Sequence, residues 1–132
     1  MIERYRQLVN QLSPWQIALL AALVYGAWAA FVNSEHGNGV AIKAGLVQGS
    51  YAFVSTWLIS FIAKWMLLRW GFSQTVRWSA MSVSWLVMLA IPVVLHTWQN
   101  TPDLVEAILP GLAIGSLYLW SYCQQLQAPK PE

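Results

Sequence analysis

Between Lys43 and Lys64 lie twenty residues, AGLVQGSYAFVSTWLISFIA, without a single charge. Twenty residues of α-helix rise about 30 Å, the thickness of a bilayer's hydrocarbon core. Within the run, Gly45 and Gly49 are four apart and Gln48 stands between them. Spanning length, a helix-packing pair and an amide that needs a partner coincide here, and the stretch reads as a transmembrane helix over 40–70.

The rest of the chain agrees. Charged residues make up 9% of the sequence and apolar ones 58%, against roughly 25% and 45–50% in soluble domains. A soluble protein of this length and so little charge could not cover its own surface. Nine tryptophans and five tyrosines suit a chain with two membrane interfaces, where amphipathic rings settle. A net charge of +2 from scattered basic residues gives no basic face, so nucleic acid is not an expected partner. A lone cysteine, Cys123, excludes an internal disulfide and a CxxC pair.

Residues 1–12 place Ile2, Tyr5, Leu8, Val9 and Leu12 at helical spacing among polar residues. That pattern predicts a short amphipathic helix lying in the membrane interface. Ser13-Pro14-Trp15-Gln16 then carries the marks of a helix start: an N-cap, a proline at the first helical position and a glutamine to complete a capping box. The first span is expected over 14–33. Its Ala18, Ala22, Gly26 and Ala30 form a ladder of small residues four apart, which lets a neighbouring helix approach closely. Arg4 and Arg6 before an apolar run resemble a signal peptide. The length of the run and Glu3 in its flank favour a retained helix.

Ser34–Gly39 is a polar link, and Gly71 ends the second span. A third span is expected over 75–97, with Ser73 as cap and Pro92 as a kink. The fourth is expected over 102–123, opened by Thr101, Pro102, Asp103 and Glu106, with Gly111 and Gly115 as a second GxxxG pair. Residues 124–132 read as a polar tail. The fold class is therefore an all-α integral membrane protein, one domain over 1–132, an antiparallel four-transmembrane-helix bundle behind an interfacial helix. Arg4, Arg6, Lys64, Arg69, Arg77 and Lys130 fall on one side of this map and only Lys43 on the other. The positive-inside rule then puts both termini on the cytoplasmic side of the cytoplasmic membrane.

GxSxG, HExxH, GxxxxGK and GxGxxG motifs are all missing. Polar groups do collect in the map at the non-cytoplasmic ends of the spans: Glu35, His36, Lys43, Gln48, His96, Asn100 and Asp103. A lysine in the first turn of a helix opposes the macrodipole, and local rules tend to break at functional sites. Behind a glycine-rich lead-in, Lys43 suits an anionic headgroup or a small anionic ligand; the competing reading is a lysine that snorkels to ordinary lipid phosphates. Gln48 requires a hydrogen-bond partner on another helix. His36 and His96 suit proton transfer or general-base work. The spacing of Glu35, His36, His96 and Asp103 matches no metal pattern, so neither a metal nor another cofactor is expected.

Three functions follow. The first is transport, or lipid and anion handling, by an oligomer through that polar cluster. The second is an accessory or assembly subunit whose partners are other membrane proteins. The third is a small membrane enzyme at the outer interface, for which the sequence offers no nucleophile–base pair. No ionisable residue lies near the middle of any span, where coupled transporters usually carry one.

Overall fold

The computed structural model describes residues 1–98 and 104–129, with the backbone alone for Val9, Leu95, His96, Leu104, Glu106, Ala107, Ile108 and Pro110. Every regular element among them is helical: α1 (Ile2–Gln11), α2 (Pro14–Val32), a 3₁₀ turn (Ser34–His36), α3 (Asn38–Trp70), α4 (Gln74–Trp98) and α5 (Leu104–Gln125). Local chemistry sets the boundaries. Gln16 Oε1 accepts the Ser13 N–H at 2.8 Å and the Ser13 hydroxyl at 3.0 Å, which engages a donor at the start of α2. At its other end, Asn33 donates its backbone and side-chain N–H groups to the Ala29 carbonyl. Gly37, at φ 99°, turns the chain, so α3 starts at once at Asn38, two residues before the expected 40. Gly71, at φ 98°, ends α3, and its N–H reaches the Leu67 carbonyl at 2.9 Å. The Ser73 hydroxyl accepts the Val76 N–H at 3.4 Å and opens α4, which continues unbroken past Pro92. Asn100 to Asp103, and with them the expected cap of the last helix, lie outside the described residues.

Among the described residues, three helices are long and apolar enough to cross a bilayer: Pro14–Val32, Asn38–Trp70 and, in α4, Gln74–Val94. In α2 only Ala18 and Gly26 are buried, while Leu19, Leu20, Leu23, Val24, Trp28 and Phe31 are exposed around the helix. A helix apolar on all sides is stable where its surroundings are hydrocarbon. The chain is thus a helical, membrane-associated protein.

Two compact units make up the chain: Leu12–Leu58, and Met1–Gln11 together with Ile59–Glu132. In the first, α2 meets the early part of α3 through glycine. A Cβ placed on Gly26 would stand 2.9 Å from the Gly45 carbonyl oxygen, and one on Gly45 the same distance from the Gly26 oxygen. The second unit buries Ala63, Leu67, Ala80, Leu119, Tyr122 and Cys123 completely. Small polar side chains tie its helices. Ser60 and Tyr118 hydroxyls are 2.8 Å apart, Ser84 donates to the Ile59 carbonyl at 3.2 Å, and Trp85 Nε1 donates to Ser116 Oγ at 2.8 Å. In lipid, such bonds replace part of the hydrophobic drive that is missing between helices.

Candidate functional site

Glu35, His36, Lys43 and Gln48 all belong to the Leu12–Leu58 unit and all are exposed. Glu35 and His36 share the 3₁₀ turn. No side-chain hydrogen bond or ion pair joins any of the four to another described residue. His96 lies in α4 with its side chain undescribed, and Asn100 and Asp103 fall outside the described residues. Among the described residues, no three His, Cys, Asp or Glu side chains gather as a metal site would require.

Lys43 does not stand in the first turn of its helix, where it was expected. Because α3 begins at Asn38, Lys43 is the sixth residue of the helix and stands in its second turn. The dipole's influence fades beyond the first turn, so Lys43 breaks no local rule.

Gln48 is the polar residue with the clearest demand. It occupies the stretch between Lys43 and Lys64, roughly 8 Å from that stretch's midpoint at 1.5 Å per residue, and is therefore at hydrocarbon depth. Its neighbours on the same face are mostly small: Ala41, Ala44, Ala52 and Ser55. Ser55 turns its hydroxyl back to the Tyr51 carbonyl at 2.8 Å and offers Gln48 nothing. In a membrane-spanning α3 an exposed amide at this depth is out of reach of water, and no described side chain bonds it.

The small residues differ in their roles. Gly26, Gly45 and Gly49 lie at the α2–α3 contact, where a Cβ on Gly49 would come within 3.0 Å of the Ala22 carbonyl oxygen and one on Gly45 within 3.1 Å of the Ala30 Cβ. Ala18 is fully buried. In the other unit Gly115 faces Met88, whose sulfur an added Cβ would run into, while Gly111 has open space beside it.

The most densely bonded site gave no motif in the sequence. Arg77 donates Nε to the Phe72 carbonyl at 3.2 Å, Nη2 to the Leu126 carbonyl at 2.9 Å and Nη1 to the Cys123 carbonyl. The last two are carbonyls at the C-terminal end of α5, which have no helical donor of their own and carry the negative end of the dipole. Residues 124–132, read as a polar tail, are in part held structure. Helix α5 runs to Gln125, Leu126 is 2% exposed, and the Gln127 N–H meets Asn10 Oδ1 at 2.9 Å. Asn10 Nδ2 and Arg6 Nε bond the Gln125 carbonyl and side chain at 3.1 and 3.0 Å. The polar face of α1 thus grips the end of α5, and Ile2, Tyr5 and Leu8 remain exposed.

No protein-family model, curated protein or solved structure matches this chain.

Proposed function

We propose that this chain is a four-span protein of the cytoplasmic membrane, with both termini cytoplasmic, that works by associating with other membrane spans as an accessory or assembly subunit. The observation that carries the reading is Gln48: exposed, at hydrocarbon depth, among small residues and without a partner in the described chain. Interhelical hydrogen bonds and small residues are what drive association of spans in lipid. A partner helix laid on α3 at the exposed Gln48, beside the half-buried Ala44 and Ser55, can come close and supply the missing bond. Transport or anion handling by Glu35, His36, Lys43 and Gln48 draws no support from their separate, solvent- or lipid-facing positions, and catalysis by them draws none either.

A fourth crossing is supported by the grip of α1 on the end of α5. Three crossings by α2, α3 and α4 leave the chain on the side opposite α1. To return Gln125 and Gln127 to Asn10, α5 must cross back, and its 22 residues rise about 33 Å, enough for the core.

A photocrosslinking amino acid at position 48, with Leu46 as the control on another face of α3, tests the reading in native membranes. The expected result is a discrete protein adduct from position 48 and none from position 46. Adducts no more abundant at 48 than at 46 reject it.

A further inference from the structure

At the end of the second unit where α1 meets α5, the basic residues have different circumstances. Arg6 pairs with Glu3 at 3.3 Å and donates to Gln125. Arg77 is bound to three carbonyls. Lys64 is half-buried and has neither an ion pair nor a hydrogen bond among the described residues. It lines a recess of about 370 Å³ with Asn10, Leu68, Phe72, Leu126 and Gln127. The recess therefore joins a cation without a partner among the described residues, and two amides, to an apolar wall. Trp65 and Trp70, exposed and packed edge to face at 5.1 Å, flank it along α3. Aromatic rings of this kind collect at the level of lipid headgroups.

We propose that this recess binds an anionic phospholipid, with Lys64 as counter-ion to the phosphate and Leu68 and Phe72 against the start of an acyl chain. A half-buried ammonium at a membrane surface seeks an anion. Arg4 and Arg69, both exposed, add to the positive field, and Glu3 is already paired. The apolar wall favours a lipid over free phosphate, which has no hydrocarbon to bury. This inference requires only that the chain sit in a membrane and is independent of the partner assigned to Gln48.

The full chain, reconstituted in nanodiscs of equal phosphatidylcholine and phosphatidylglycerol and then released for native mass spectrometry, tests it. Retained phosphatidylglycerol should outnumber retained phosphatidylcholine about fivefold, against the even bulk ratio, the effect of one lysine at an anionic surface. Lys64→Met, which keeps the apolar stem, should bring the ratio close to bulk. Lys64→Arg should preserve the preference, and Lys43→Met should leave it unchanged. An unaltered ratio in Lys64→Met overturns the proposal, as does an equal fall in Lys43→Met. A Lys64→Arg protein that retains lipid only at the bulk ratio also overturns it, and this arm holds even if Lys64→Met does not fold. Displacement of phosphatidylglycerol by inorganic phosphate would assign the recess to the free ion and reject the lipid.

Discussion

A guanidinium suits the role Arg77 plays because its donors form a rigid fork that can serve several carbonyls at once. Hydrogen bonds to a charged group are worth about 1.5–3 kcal/mol, whereas interhelical bonds between neutral side chains in membranes average about 0.6 kcal/mol. The two magnitudes order the variants. Arg77→Met should destabilise the detergent-solubilised protein by about 1.5–3 kcal/mol, and Arg77→Lys by less, since a lysine keeps the charge but lacks the fork. Tyr118→Phe, which removes the bond to Ser60, should cost only about 0.6 kcal/mol. Thermal or denaturant unfolding followed by tryptophan fluorescence gives the order, and a Tyr118→Phe loss equal to that of Arg77→Met would refute it. A trace of Arg77's role was present in the sequence. It is the fourth residue of α4, a cation in a first turn that opposes the dipole. Lys43 drew that argument instead, through a helix start placed two residues late. The carbonyls that explain Arg77 lie 46 and 49 positions away, a separation that leaves no local pattern.

The helices themselves were legible because their boundaries depend on short-range chemistry. Ser13 with Gln16, Gly37, Gly71 and Ser73 each act on neighbours within a turn or two, and uncharged length marked the spans. The grip of α1 on the end of α5 was not legible: Leu126 and Gln127 look like tail residues until the Asn10 amide reaches them. Glycine pattern alone also could not tell close approach from open space, although the structure separates the two. Next to Gly26 and Gly45 the obstacle is backbone, which cannot rotate away. Gly26→Ala or Gly45→Ala should therefore cost about 1–3 kcal/mol through overpacking. Gly115→Ala meets the sulfur of a flexible methionine and should cost less, since Met88 can change rotamer. Gly111→Ala meets nothing and should stabilise α5 by up to about 1 kcal/mol through helix propensity. Parallel unfolding of the four variants checks the ranking; equal losses at Gly26 and Gly111 would contradict the α2–α3 contact.

On the scale of the molecule, two independent facts bear on orientation. One is the distribution of charge, with Arg4, Arg6, Lys64, Arg69 and Arg77 assigned to one side and Lys43 to the other. The other is bonding: α1 holds the end of α5, and Arg77 at the start of α4 holds that end too. Such bonds place the N-terminal helix, the α3–α4 link and residues near 127 together, whatever the direction of insertion; under the proposed topology the positive-inside rule makes that face the cytoplasmic one. Single cysteines can test both inferences, because the native Cys123 is completely buried and should stay silent to an impermeant maleimide. In intact cells His36→Cys should label from outside. Ser73→Cys and Gln127→Cys, both at exposed positions, should label only after the membrane is opened. The Gln127 contact uses its backbone N–H, so that substitution leaves the grip in place. Labelling of Gln127→Cys from the same side as His36→Cys would mean an odd number of crossings and would remove α5 from the membrane. Labelling of Ser73→Cys and Gln127→Cys from outside, with His36→Cys protected, would keep four crossings and reverse the assignment of faces.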